Sequence, residues 1–348
     1  MTRRVYAGSM PIGGGARVSI QSMTNTDTRD REATLAQIRQ LAGAGCEIVR
    51  VSVYDDACAD NVRFLVDNSP VPLVADIHFD YRLAIKSLEN GISKLRINPG
   101  NIGSEANVRK VADCLKAHSA PVRIGVNSGS VEKDLMQKYG GPCPEALVES
   151  ALNHAALLEN CGFTDIVLSM KASNAADTVK ANRLAAQKCY YPLHIGVTEA
   201  GTAKMGSIKS AIGIGSLLLD GIGDTVRVSL TGDPVNEVYA AKDILKAVGL
   251  RKDGIDVISC PTCGRTCIPV GEIADKVSAA FSDLTSPLTV AVMGCVVNGV
   301  GEGSHADIGI AGGRDGGILF RKGKPPVTVR GDLAEILIEA IKQELGSK

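Results

Sequence analysis

Leu41-Ala42-Gly43-Ala44-Gly45-Cys46-Glu47-Ile48-Val49-Arg50-Val51-Ser52 ends a helix, turns on glycine and enters a strand. The helical pattern ahead of it, residues 30–42, places Leu35, Ile38 and Leu41 on one face. Glycine just past the last apolar helical position supplies the left-handed residue that a helix C-terminus needs. The same re-entry returns as Leu88-Glu89-Asn90-Gly91 before Leu95 and as Leu158-Glu159-Asn160-Cys161-Gly162 before Ile166. A further copy is Leu219-Asp220-Gly221-Ile222-Gly223 before Val226. Working outward, strands read at 18–23, 48–53, 72–77, 94–98, 121–127, 166–171, 193–199 and 225–230, with helical patterns between them. Eight such units in about 230 residues match a TIM (β/α)8 barrel in length and order. An open doubly wound sheet is the rival, and the regularity of eight units favours closure. Residues 1–250 are therefore expected to form a substrate-binding barrel.

Composition narrows the function classes. Lysine plus arginine equal aspartate plus glutamate, so the net charge of zero gives no case for broad nucleic-acid or membrane binding. Aromatics make up only 3% with no tryptophan, which argues against platforms for stacked bases. Arg3-Arg4 is followed by no apolar signal segment, and the most apolar run, residues 211–222, is too short to span a bilayer. Cys46, Cys58, Cys114, Cys143, Cys161 and Cys189 are scattered singly, unlike a secreted disulfide framework. A cytoplasmic protein is expected.

Strands of a parallel barrel are covered on both sides and should be apolar. Four of these carry arginine instead, in Val49-Arg50-Val51-Ser52, Leu95-Arg96-Ile97-Asn98, Val122-Arg123-Ile124-Gly125 and Val226-Arg227-Val228-Ser229, and a fifth ends Ser169-Met170-Lys171. Side chains two apart share a face, so these cations should point into the lumen. Asp76 and Glu199 are the acids at comparable positions, leaving a positive mouth best neutralised by an anionic ligand, phosphate above all. The glycine-containing loop Glu199–Ser207 opens a helix where this fold commonly seats phosphate. His78 shares a face with Asp76 and is as readily a scaffold residue as an acid or base. His154 and His194 carry less weight.

Residues 251–348 read as a smaller α/β domain, with strands at 255–259, 288–293 and 308–311 and helices at 271–281 and 332–344. Cys260-Pro261-Thr262-Cys263 and the lone Cys295 in Gly294-Cys295-Val296-Val297-Asn298-Gly299-Val300-Gly301-Glu302 suggest a metal or iron–sulfur site. Cys267 and Glu302 compete as fourth ligand. An oxygen ligand suits a cluster with one exchangeable iron, whereas Cys267 would complete a structural zinc knot. The run Arg321-Lys322-Gly323-Lys324 reads as a solvated loop that could also meet an acidic electron donor.

With these residues in place the chain resembles the 4-hydroxy-3-methylbut-2-enyl diphosphate synthase family of the methylerythritol phosphate pathway, in its short bacterial form. The likeness lies in Ser19-Ile20-Gln21-Ser22-Met23-Thr24, in Lys94-Leu95-Arg96-Ile97-Asn98-Pro99-Gly100-Asn101-Ile102-Gly103 and in Gly196-Val197-Thr198-Glu199-Ala200-Gly201, besides the cysteine motifs. The resemblance implies a [4Fe–4S] cluster on Cys260, Cys263, Cys295 and Glu302, with Cys267 outside the ligand set. It implies reductive ring opening and dehydroxylation of 2-C-methyl-D-erythritol 2,4-cyclodiphosphate, with reduced ferredoxin or flavodoxin as donor. Arg50, Arg96, Arg123, Lys171 and Arg227 would grip the substrate, and Asn127, Thr198, Ser229 and Asn298 would hydrogen-bond it. Asp76, His78 and Glu199 would stand nearby, Glu199 as the proton source.

Chain geometry adds an expectation about assembly. The last barrel helix, about 234 to 248, runs roughly 20 Å away from the mouth at 1.5 Å per residue. A linker over 249–254 recovers at most about 20 Å. A homodimer in which each cluster domain caps the partner's barrel removes the difficulty.

Overall fold

A small antiparallel hairpin, β1 (Val5–Ala7) and β2 (Met10–Ile12), precedes eight parallel strands. These are β3 (Ser19–Met23), β4 (Ile48–Ser52), β5 (Leu73–Asp76), β6 (Lys94–Ile97), β7 (Val122–Asn127), β8 (Ile166–Lys171), β9 (His194–Ile195) and β10 (Thr225–Val226). In the computed structural model, which describes every residue except 283, 298, 347 and 348, they pair in the order β8-β7-β6-β5-β4-β3-β10-β9. A parallel bridge from Leu168 to Leu193 joins the two ends. The sheet thus closes into a barrel, and the open-sheet alternative falls.

Helices α1 (Arg31–Gly43), α2 (Asp56–Asn68), α3 (Tyr81–Glu89), α4 (Glu105–Ala117), α5 (Lys133–Tyr139), α6 (Pro144–Glu159), α7 (Ala175–Lys188), α8 (Ala203–Leu219) and α9 (Val235–Ala247) surround it. The extra helix is α5, which shares the β7–β8 connection with α6. At the end of α1 the Cys46 N–H returns to Leu41 O and the Gly45 N–H to Ala42 O, with Gly45 at φ +100°. This is the Schellman pattern, and Gly91, Gly162 and Gly221 also take positive φ at the matching re-entries. Asp30, Asp55, Asp80 and Asn174 accept backbone N–H groups at helix starts, each worth about 1 kcal/mol.

Two strands are shorter than the sequence suggests: β9 and β10 keep only two residues each, where 193–199 and 225–230 were expected. The position just past β9 is Gly196, where a Cβ would stand 2.2 Å from Arg227 O and 2.8 Å from Lys171 Nζ, so only glycine fits this close approach. The sequence reading also lacks the hairpin. Its Val5, Ala7 and Ile12 pack on Ile48, Val74 and Val167, forming a separate small core at the N-terminal ends of the strands.

The chain forms two compact units, Met1–Leu250 and Arg251–Lys348. The second unit is a five-stranded sheet in sequential order: β11 (Ile255–Ser259), β12 (Leu288–Met293), β13 (Ile308–Gly313), β14 (Gly316–Arg321) and β15 (Lys324–Val329). The first three are parallel and the last two pair antiparallel. Helices α10 (Val270–Ala280) and α11 (Leu333–Gly346) supply Val277, Leu337 and Ile341 to a core with Val290, Val292, Ile308 and Ile310. Strand β15 was not legible because Pro325-Pro326 reads against strand; it survives as an edge, where missing N–H groups do no harm. Arg321 and Lys324 are not simply solvated, since both pair with Glu344, at 3.2 and 2.6 Å.

Candidate active site

Alternation along the strands puts residues 50, 76, 96, 123, 171 and 227 on the lumen side. Register then brings them together: Arg50 opposes Val74, Asp76 opposes Arg96, and Arg96 opposes Arg123. A cavity of about 130 Å³ opens among them. Arg50, Arg96, Arg123, Lys171 and Arg227 line it, as do Asp76, His78, Asn127, Thr198 and Ser229. All five expected cations therefore share one pocket. Gly125 also lines it, and a Cβ there would stand 2.9 Å from Arg96 Nε, so only glycine leaves that guanidinium its path.

Asp76 is the hub on one side. Its Oδ1 lies 3.1 Å from Arg96 Nη1 and 3.5 Å from His78 Nε2, and its Oδ2 lies 3.6 Å from Arg50 Nε. Burial alone would raise this carboxyl; the charge of Arg50, the His78 hydrogen bond and the charge of Arg96 outweigh it and hold Asp76 well below the ordinary range. Arg96 Nη2 also donates to Gly125 O at 3.1 Å.

On the other side the anion is Glu237, which the sequence reading missed. It comes from α9, is 4% exposed, and accepts from Arg227 Nε at 3.2 Å and Nη2 at 3.3 Å. The Ser22 hydroxyl and the Leu230 N–H fill its remaining capacity, at 3.0 and 3.1 Å. A signal existed: Glu237 stands in register with Val238, Ala241, Ile244 and Leu245 on the buried stripe of α9. Glu199, expected to face the lumen, is instead exposed, has φ +50° and is not among the residues lining the cavity. By residue 199 the chain has left the sheet, so strand alternation no longer aims its side chain inward. Met23 was also missed as a site neighbour, and its sulfur accepts from Arg50 Nη2 at 2.8 Å.

Charges remain unmatched. Asp76 serves Arg50 and Arg96, and Glu237 serves Arg227. Arg123 is 2% exposed, and among the described residues neither its Nε nor its Nη2 has a hydrogen-bond partner. Among the same residues Lys171 Nζ meets a ring nitrogen, His194 Nε2 at 3.3 Å, and no carboxylate. Burial, then the neighbouring cations, push Arg123 and Lys171 well below their ordinary values, and Arg50 down to about 10 against the pull of Asp76. Deeper still, Lys94 is fully buried with Gln21 Oε1 at 3.3 Å, and burial lowers its amine strongly. Unpaired buried cations are costly, and an anionic ligand in the cavity would offset them.

The second unit holds its own pocket. Cys260 follows β11 and Cys295 follows β12, and these adjacent parallel strands deliver both to one edge. Cys260, Cys263, Cys295 and Glu302 line one cavity of about 210 Å³. Among the described residues no three of His, Cys, Asp or Glu are drawn closely enough to grip a single ion. The space is several times the roughly 30 Å³ of one water, room for a polyatomic group. The Gly294 N–H donates to Cys260 Sγ at 3.1 Å, and a Cβ at 294 would stand 3.2 Å from that sulfur. Three thiols, a carboxylate and a glycine-lined wall fit an iron–sulfur cluster. Cys267 lines a different cavity, and its Sγ donates to Arg265 O at 3.3 Å. Asn298, expected to touch substrate, lies outside the described residues.

Comparison with known proteins agrees with both units. Residues 2–242 match the GcpE TIM-barrel domain, and residues 256–345 match the GcpE protein C-terminal domain. A protein from Clostridium perfringens is 57% identical over 342 residues, covering 98% of each chain. One from Geobacter sulfurreducens is 55% identical over 348 residues, covering 100% of this chain and 99% of the relative. Both are named 4-hydroxy-3-methylbut-2-en-1-yl diphosphate synthase (flavodoxin). Among solved structures, the sialic acid synthetase of Leptospira borgpetersenii superposes with a TM-score of 0.51 at 14% identity, covering 72% of this chain and 91% of that one. That likeness concerns the barrel fold alone. Matched over nearly its whole length, and more than half identical to full-length relatives, the chain belongs to the GcpE family.

Proposed function

We propose that this chain is a two-electron reductase that converts 2-C-methyl-D-erythritol 2,4-cyclodiphosphate to 4-hydroxy-3-methylbut-2-enyl diphosphate. The observation that carries it is the cation-rich mouth, above all the buried Arg123 with two guanidinium nitrogens unpartnered among the described residues. Two electrons and protons enter, one ring C–O bond breaks, the phosphate oxygen keeps the electron pair, and a hydroxyl leaves as water. Arg50, Arg96, Arg123, Lys171 and Arg227 bind the diphosphate and take up the charge that grows on the freed oxygen. Asn127, Thr198 and Ser229 orient the sugar by hydrogen bonds, and Asp76 with His78 holds Arg96 in place. Glu199, next in the chain to the lining residue Thr198, delivers a proton.

Cys260, Cys263, Cys295 and Glu302 would hold a [4Fe–4S] cluster; when bound, it supplies the electrons and a Lewis-acidic iron. Flavodoxin, which appears in the relatives' names, is the donor of choice, with ferredoxin the alternative. The working form is a homodimer, each cluster domain serving the partner's barrel. Exposed Met205, Ile208, Ile212 and Leu219 on α8 support it as an apolar stripe that a second copy would cover.

The test is turnover of the cyclodiphosphate by anaerobically purified protein with reduced flavodoxin, followed by phosphorus NMR. A new open-chain diphosphate signal with iron and sulfide near four each per chain supports the assignment. Iron-free protein holding one zinc, or a cyclodiphosphate signal that never changes, overturns it.

A further inference from the structure

His154 plays no part in the chemistry above, yet it sits between two mouth loops. It lies on α6, is 3% exposed, and its Nδ1 accepts the Gly100 N–H at 3.0 Å. Its Nε2 stands 2.6 Å from Glu132 Oε1. Gly100 belongs to the turn Pro99–Asn101 after β6, the strand of Arg96; Glu132 follows β7, the strand of Arg123, and starts α5. The fit to residue 100 is close: a Cβ there would lie 2.5 Å from His154 Cε1. The same turn leads back into the pocket. The Asn101 N–H donates to Asn98 O at 2.9 Å, and Asn98 Oδ1 accepts the N–H of Gly125, a lining residue, at 3.2 Å.

These contacts fix the tautomer. A backbone N–H aimed at Nδ1 requires that nitrogen to be bare, so Nε2 carries the hydrogen and donates to Glu132. Neutral imidazole satisfies both neighbours. Imidazolium would turn a second donor toward Gly100 and break that bond, while keeping Glu132.

We propose that His154 is a positioning residue for the barrel mouth: as neutral imidazole it pins the turn after β6 to the loop after β7, and its protonation releases that turn. The positioning role rests on the reading of the mouth as the substrate site. Burial pushes this imidazole below the ordinary histidine value, and the Glu132 carboxylate, the charged group acting on it among the described residues, opposes that. Among the described residues, none of the other elements packed on α6, namely α4, α5, α7, β7, β8 and the turn Pro99–Asn101, adds a charge that acts on it. The latch is therefore fully closed above about pH 6.5 and opens as pH falls below it.

The test is hydrogen exchange of the full-length holoenzyme from about pH 7.5 to 5, corrected for the intrinsic pH dependence, read on peptides spanning residues 97–103. Protection at Gly100 should fall with pH in the wild type. Glu132→Gln removes the charge that favours imidazolium, so the loss should move down by on the order of one pH unit. His154→Gln should abolish the step. KM for the cyclodiphosphate should rise severalfold through the same window while kcat changes less. Protection independent of pH, or a step that Glu132→Gln leaves in place, overturns the latch. An exchange step with a flat KM overturns the positioning role. Failure of the substrate reading itself would show differently, as no cyclodiphosphate binding at any pH with the exchange step intact.

Discussion

Arg123 shows how a single side chain can be stable only in company. Its guanidinium is buried beside Arg50 and Arg96 without an anion of its own. Arg123→Met should weaken cyclodiphosphate binding by about 10- to 100-fold, the worth of one charge-assisted hydrogen bond, and leave the melting temperature equal or higher. Calorimetric titration and a thermal melt check both halves. Lys171 makes a related prediction. Burial, then Arg123 and Arg227, lower its amine in the free protein, and a diphosphate would restore it. Binding should therefore take up protons, and affinity should fall as pH rises; titrations in buffers of different ionisation enthalpy measure the uptake. At the other pocket Glu302 would be the oxygen donor of the proposed cluster site. Glu302→Cys should keep iron content and visible absorbance while turnover falls at least 100-fold. The cations were legible because arginine inside an apolar strand violates the burial rule. Their partners were less so: Glu237 reaches Arg227 from a helix, and the alternation of strands says nothing about helix side chains.

The recurring glycine-capped re-entry was the most readable element of the chain, since Gly45, Gly91, Gly162 and Gly221 need a backbone region closed to most residues. Gly91→Ala should lower stability by about 1 kcal/mol, seen as a shift in the urea midpoint. Short elements escaped the sequence because their pairing is not local. Strands β9 and β10 pair with each other, and β10 with β3, far apart in the chain, and β14–β15 depend on each other. Helix α8 carries a different message on its outer face. If Met205, Ile208, Ile212 and Leu219 meet a second copy, Ile212→Glu should yield monomers by analytical ultracentrifugation, with the melting of each chain little changed. A variant that stays dimeric at micromolar concentration would place the interface elsewhere.

For the whole molecule, acid should act through the lumen. The Asp76 carboxylate contributes stability that is complete above its unfolded value of about 3.9 and is lost as pH falls below that. Lys94 has the same sign, being held below its ordinary value by burial, so lower pH increasingly charges an amine with no anion beside it among the described residues. Lys94→Met should flatten the pH dependence of the melting temperature. The hairpin β1–β2 has a last consequence, concerning order in time. It emerges from the ribosome early, yet Val167, which helps enclose Ile12, is made 155 positions later. Until β8 is synthesised those early side chains have no finished floor to rest against. A nascent chain halted before residue 160 should therefore lose its first dozen residues to protease, and one released after β10 should keep them.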